Sequence, residues 1–281
     1  MNLFTPSEFV ENFAAAGEKK TALSVMKLFL LGILAGFFIA LGGVVSNTAT
    51  FGFTNTSAMR IISGLLFPFG LIMVILTGAE LFTGNCLITI SVLEKRTTLL
   101  RMLRNLIIVY LGNFAGSVMA AAGCAYFGQY NCSAGALAVY TIKVAGIKCA
   151  LPFLNAFVSG IFCNILVCAA VMLSLSAKEL IGRVAGAYIP IAFFVICGFE
   201  HCVANMYYIP AGLFAKNIPA YAKLVSDAGL DITKLTWGNF FASNLLPVTL
   251  GNIAGGVLFA ILVWVCHRQE NKGNVRTGMP H

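Results

Sequence analysis

The chain is 281 residues long, 59% hydrophobic and only 10% charged, with a formal net charge of +8. A soluble domain carries roughly 25% charged residues, so this composition excludes an ordinary globular surface and the soluble enzymes built on one. The Lys and Arg are spread along the chain rather than gathered in one patch, which argues against a nucleic-acid partner.

In chain order, residues 1–25 are expected to form a cytoplasmic amphipathic helix. Thr5 suits the N-cap, Pro6 the first helical position and Glu8 a capping box. Phe9 and Phe13 share a face at i, i+4. Glu8, Glu11 and Glu18 argue against a signal peptide here. Six hydrophobic spans follow, near 26–45, 61–93, 105–127, 150–176, 184–215 and 236–266, and then a cytoplasmic tail, 267–281. About 20 apolar residues cross a bilayer as a helix. The third and fourth spans are read as joined by an extracellular loop flanked by Cys132 and Cys149, which could pair. The nine cysteines contain no C-x-x-C pair, so neither a metal site nor a redox dithiol is expected.

The second and fifth spans are too long. Ile61 to Leu93 is broken only by Glu80, and Val184 to Ala215 only by Glu200 and His201. As continuous helices each would run about 50 Å, against a hydrocarbon core of roughly 30 Å. Each must tilt, re-enter or break. Twelve of the 18 Lys and Arg fall on the side that six spans assign to both termini, which the positive-inside rule places in the cytoplasm.

The two long spans also repeat a pattern. GAELFTGN (78–85) and GFEHCVAN (198–205) both read G-x-E-x-x-x-x-N, and the spans after them share L-G-N-x-A-G-x-V in LGNFAGSV (111–118) and LGNIAGGV (250–257). The chain reads as one channel domain, 26–266, made by duplication of three spans, with repeats near 26–127 and 150–266. An odd number of spans inverts the second copy, and interrupted segments in an inverted repeat point to a pathway at the midplane.

Ionisable residues inside a membrane are costly and usually functional. Glu80 and Glu200, with Gly84, Asn85 and Asn205 beside them, read as a scaffold whose carboxylates accept hydrogen bonds from loop N–H groups; the competing reading is a cation or proton site. His201 breaks the symmetry, since its counterpart is Leu81. Its imidazole can donate to an anion or switch charge near neutral pH, or it can be a buried ring satisfied by Glu200 or a carbonyl. Thr83 is its natural partner across the break, unless its hydroxyl turns back onto its own backbone. Lys148 either concentrates anions or snorkels to the interface. Gly112/Gly116 and Gly251/Gly255 permit close helix packing.

ILTGAELFTG (75–84), GIFCNILVC (160–168), GFEHCVANM (198–206) and NLLPVTLGNIAGG (244–256) closely resemble the signatures of the formate/nitrite transporter family, over essentially the whole chain. The chain is most similar to the clostridial hydrosulfide-channel branch. The resemblance implies an all-α, aquaporin-like bundle of six spans with the second and fifth broken, assembled as a homopentamer in the bacterial inner membrane. It implies no enzymatic activity and no cofactor. His201 and Thr83 match the pore centre, Leu71, Leu81, Phe194 and Phe67 the apolar constrictions, Lys148 the outer vestibule, and Asn164 and Asn244 polar pore-side positions. The implied partners are small monovalent anions such as hydrosulfide, formate, nitrite and chloride, with protons as a coupling ion in a symporter reading. A neutral-solute pore is the rival on the same fold, but the paired NPA loops of aquaporins are missing; Asn217-Ile218-Pro219-Ala220 is only superficially similar to one. A haem subunit would need more intramembrane histidines than one.

Overall fold

The computed structural model describes residues 2–268, and among these the chain is helical apart from one isolated bridge between Leu3 and Ala177. Helix α1, Pro6–Ala22, starts on a complete capping box: Thr5 Oγ1 accepts from the Glu8 N–H, and Glu8 Oε2 accepts from the Thr5 N–H at 2.7 Å. Its inner face buries Phe9, Val10, Phe13 and Ala14, with the two phenyl rings 5.5 Å apart.

The first span is α2, Val25–Thr50. The second begins as α3, Thr56–Leu66, and α4, Phe69–Thr77. It breaks at Gly78, whose φ of 70° is left-handed and ends the helix without a Cβ penalty. It resumes as the short helices α5, Phe82–Asn85, and α6, Ile88–Leu93. The third span is α7, Leu99–Tyr126. After α8, Ala136–Cys149, the fourth span is α9, Phe153–Ser176. The fifth is α10, Leu180–Cys197, broken at Gly198 with φ 75°, then α11, Cys202–Ala215. Helix α12, Pro219–Asp227, and the one-turn α13, Trp237–Asn239, lead through a π-helical turn, Phe240–Leu245, into the last span, α14, Leu246–His267. The tail beyond Arg268, with His281, lies outside the described residues.

Two corrections follow. The stretch between the third and fourth spans is not a loop: residues Gln129–Cys149 form a further long apolar helical segment, a seventh beside the six expected spans. No residue in 136–149 breaks a helix, and Leu137, Ala138, Thr141, Ile142, Ala145 and Cys149 line one buried face, packed on α11. Cys132 and Cys149 do not pair; both are free thiols.

Tight helix pairs hold the bundle. Gly32 and Gly36 of α2 meet Gly112 and Asn113 of α7, and Gly116 lies against the Ile33 and Phe37 backbone; Gly160 of α9 meets Gly251 of α14, and Gly255 lies against the Ile161 backbone. A methyl at Gly116 or Gly251 would run into the facing backbone carbonyl, of Ile33 or Phe157. Such small-residue seams replace the hydrophobic drive that lipid does not supply.

One end of the bundle gathers the chain start and three later segments. The Phe4 N–H donates to the Ser176 carbonyl, the Lys178 N–H to that of Asn2, Arg104 to the Leu23 carbonyl at 3.2 Å, and Trp264 Nε1 to Glu94 at 2.6 Å. The N-terminus, the connections after the second and fourth spans, and the last turn of α14 therefore share one face.

Candidate functional site

The two breaks are held by asparagines, one for each. Asn113 Oδ1 accepts from the Phe82 N–H at 2.9 Å, and its Nδ2 donates to the Glu80 and Gly32 carbonyls at 2.9 and 2.8 Å. Asn252 does the same in the second half: the Cys202 N–H donates to its Oδ1 at 2.9 Å, and its Nδ2 donates to the Glu200 and Gly160 carbonyls at 3.0 and 2.8 Å. Both side chains are fully buried. Backbone groups freed by a broken membrane helix need such partners. These asparagines are the N of the repeated L-G-N motif. The repeat marks them, but their partners become visible only in the fold.

The glutamates do a different job from the one expected. Their carboxylates accept from side chains, not from loop N–H groups. Lys20 Nζ lies 2.7 Å from Glu80 Oε1, Asn85 Nδ2 is 2.6 Å from Glu80 Oε2 and 2.8 Å from Asn105 Oδ1, and Asn105 Nδ2 returns to the Lys20 carbonyl at 3.2 Å. The ring closes on itself. The second half repeats it with Lys148, Glu200, Asn205 and Asn244, at 2.7, 2.6, 2.7 and 3.0 Å. Each ring neutralises a buried carboxylate and meets its hydrogen-bonding capacity, the conditions under which a buried ion pair is tolerated. Lys20 and Asn105 were not singled out by sequence. Their signal is the repeat: Lys20 and Lys148 hold equivalent places before the first spans of the two halves, and Asn105 pairs with Asn244 at the offset that pairs Asn113 with Asn252.

Thr83 and His201 come together across the breaks, Oγ1 to Nε2, at 2.9 Å, with both residues buried. His201 also caps α11: its Nδ1 accepts from the Ala204 N–H at 3.1 Å. A nitrogen that accepts from a backbone N–H carries no proton, so the neutral ring bears its hydrogen on Nε2 and donates it to Thr83. The expected alternatives, Glu200 or a carbonyl as the histidine's partner, are not what satisfies it. The Thr83 carbonyl accepts from Asn164 Nδ2 at 3.3 Å. The Phe194 ring stacks on the imidazole with centroids 5.9 Å apart, and Phe67 meets Phe194 edge-on at 5.8 Å.

Two cavities flank this contact. One, of about 190 Å³, is lined by His201, Phe67, Phe194, Lys148, Arg60 and Asn47 among others. The other, of about 280 Å³, is lined by Leu71, Leu81, Gly84, Glu80, Asn85 and Lys20 among others. Of the expected apolar set, Phe67 and Phe194 thus face one cavity and Leu71 and Leu81 the other. Asn164 and Asn244 line neither: Asn164 is fully buried between the Thr83 and Asn252 carbonyls, and Asn244 within the Lys148 ring. They are structural supports: both Asn164 amide bonds go to backbone carbonyls, and Asn244 donates to the Lys148 carbonyl and to Glu200 Oε2 at 3.4 Å.

Spans that break in mid-course, a buried donor pair where they meet and a lysine-bearing cavity on each side define a multi-pass membrane transport protein. Residues 7–266 match the family model described as formate/nitrite transporter. The chain is 33% identical to the "Probable formate transporter" of Methanothermobacter thermautotrophicus, over 95% of this chain and 98% of that one. It is 34% identical to "Formate channel FocA" of Escherichia coli K12, over 96% of each. A solved structure titled "Pentameric formate channel with formate bound" superposes with a TM-score of 0.77 at 35% identity, covering 86% of this chain and 97% of that one. The chain belongs to the formate/nitrite transporter family, whose members are transport proteins and not enzymes.

Proposed function

We propose that the chain forms a channel for small monovalent anions, with its narrowest point between Thr83 and His201. The observation that carries this reading is the 2.9 Å Thr83–His201 contact, enclosed by Phe67, Leu71, Leu81 and Phe194, with a lysine-bearing cavity on either side. Stripping water from an ion in an apolar ring is expensive. Lys148 and Lys20 draw the anion into the cavities, and at the centre the Nε2–H of His201 and the Thr83 hydroxyl replace the lost water. Nδ1 is occupied by the Ala204 N–H, so the ring meets the anion as an Nε2–H donor. A weak-acid anion such as formate, nitrite or hydrosulfide, held by these donors, can take a proton from water in the cavity, leaving hydroxide behind, and cross as the neutral acid, whereas chloride depends on the donors alone. A symporter that moves a proton with each anion is the second reading, favoured by that same Nε2–Thr83 contact. The names of the relatives favour formate among these anions.

The protomer is a single channel domain. It sits in the bacterial inner membrane with both termini in the cytoplasm, as the lysine and arginine bias supports, and assembles as a homopentamer, as its similarity to a pentameric channel supports.

Anion flux into proteoliposomes, compared for hydrosulfide, formate, nitrite and chloride at two pH values, tests the reading. Thr83→Val is expected to slow the preferred anion roughly tenfold, about one hydrogen bond to a charge, and His201→Ala to abolish the pH dependence. Conduction and pH dependence left intact by His201→Ala would remove the histidine from the pathway.

A further inference from the structure

The two cavities belong to duplicated halves, yet they differ. At the offset that pairs Lys20 with Lys148 and Gly32 with Gly160, Ser46 pairs with Ser174 and Asn47 with Leu175. Asn47 lines the cavity that holds Lys148 and His201, and Leu175 lines the one that holds Lys20. Asn47 is 4% exposed, and its Nδ2 has no hydrogen-bond partner. A buried amide donor left unpaired costs more than most proteins tolerate.

Cations differ as well. The Lys148 cavity is also lined by Arg60, whose guanidinium spends one donor on the Ile196 carbonyl at 3.0 Å. Among the described residues, Lys20 is the only cation lining the other cavity. The lysines themselves are held differently. Lys20 bonds both Glu80 and, at 3.1 Å, Asn85 Oδ1. Lys148 bonds Glu200 alone and stands 5.5 Å over the Tyr208 ring, while Asn205 Oδ1 is left without a partner. One lysine is locked between two acceptors; the other retains unused donors.

We propose that the Lys148 cavity contains an anion-holding subsite, formed by Asn47, Arg60 and Lys148, that the Lys20 cavity lacks. This rests on the anion-channel reading and adds a sidedness to it. The ligand is a small monovalent anion with several acceptor lone pairs, such as a carboxylate. The Asn47 amide supplies a neutral donor, Arg60 supplies net charge, Lys148, whose charge Glu200 balances, supplies its unused donors, and the channel is half-saturated at lower anion concentration from that face.

Labelled formate uptake into intact cells and into inverted membrane vesicles presents the two faces separately, whichever way the protein is oriented. Asn47→Leu, which installs the residue of the opposite cavity, is expected to raise the half-saturating formate concentration roughly tenfold in one preparation and leave the other where it was. Asn47→Asp, of the same shape but repelling anions, gives the same one-sided shift and serves if the leucine variant folds poorly. Arg60→Gln shifts the same side, and Leu175→Asn lowers the value on the opposite side. If both Asn47 variants change the two preparations equally, or change neither while the wild type takes up formate, the subsite is refuted and the channel reading stands. Wild-type membranes that carry no anion from either side count against the channel itself.

Discussion

An imidazole that caps a helix with one nitrogen has a single orientation left for the other. His201 is such a ring: its Nδ1 takes the Ala204 N–H, and its Nε2 faces Thr83. In the first half the equivalent residue, Leu81, stands at the same cap with no side-chain bond to offer, so the chemistry of the centre is one-sided although the backbone is duplicated. The glutamate next to the histidine serves the lysine instead. Glu200→Gln would leave the Lys148 ammonium, whose side chain is 17% exposed, opposite a neutral amide. Breaking a wholly buried pair costs about 3–5 kcal/mol; with a partly solvated lysine we expect about 2 kcal/mol, read as a lower Tm in detergent. Adding Lys148→Met should recover part of that loss, because it removes the unpaired charge.

Among the elements, the breaks in the second and fifth spans are stable because a neighbouring span supplies the missing backbone partners. Asn252→Ala strips the side-chain partner from the Cys202 N–H and the Glu200 carbonyl at once, while the Gly160 carbonyl, inside α9, keeps its helical bond. Each orphaned buried group costs about 1–3 kcal/mol, so the Tm of this variant should fall further than that of Glu200→Gln. Asn113→Ala should match it, since the first break is held by the same three bonds. Helix α1 adds a pH-dependent element. The Thr5 backbone N–H, with its hydroxyl, holds the Glu8 carboxyl below the usual carboxylate range. A lowered pKa means the cap is fully formed at neutral pH and is lost as pH falls through that lowered value. Hydrogen-exchange protection in the first turn of α1, measured against the intrinsic rate at each pH, should fall on acidification, and Glu8→Gln should flatten that response.

At the scale of the whole molecule, four segments gathered at one end require an even number of crossings between them. From the charge bias we propose that this end faces the cytoplasm. Cys132 is exposed, and Gln129 beside it bonds Thr48 at the last turn of α2, the opposite end of the bundle. A membrane-impermeant maleimide should therefore label Cys132 on intact cells. A cysteine introduced at Arg96, in the exposed connection after the second span, should react only after lysis. Labelling of Arg96→Cys on intact cells would invert the topology. Native mass spectrometry on protein extracted in mild detergent should give five copies.

Hydropathy, glycine placement and repeated motifs are properties of neighbouring residues, and they were legible without coordinates. They place six spans, mark the second and fifth as too long to run unbroken, pair the halves, and single out His201 as the residue that departs from the repeat. Partnership across the chain was not legible. Lys20 meets Glu80 across 60 residues, and Thr83 meets His201 across 118. A carboxylate in a sequence does not state which donor will reach it. The Phe82 and Cys202 N–H groups go to Asn113 and Asn252 rather than to Glu80 and Glu200, and the helix over 136–149 is hidden from hydropathy because its buried face exists only against α11. Sequence determined where the chain must cross and break, since bilayer thickness and backbone hydrogen bonding act on consecutive residues. Only the tertiary structure decided which side chains close the rings and which line the two cavities, since that depends on distances between helices that hydropathy does not encode.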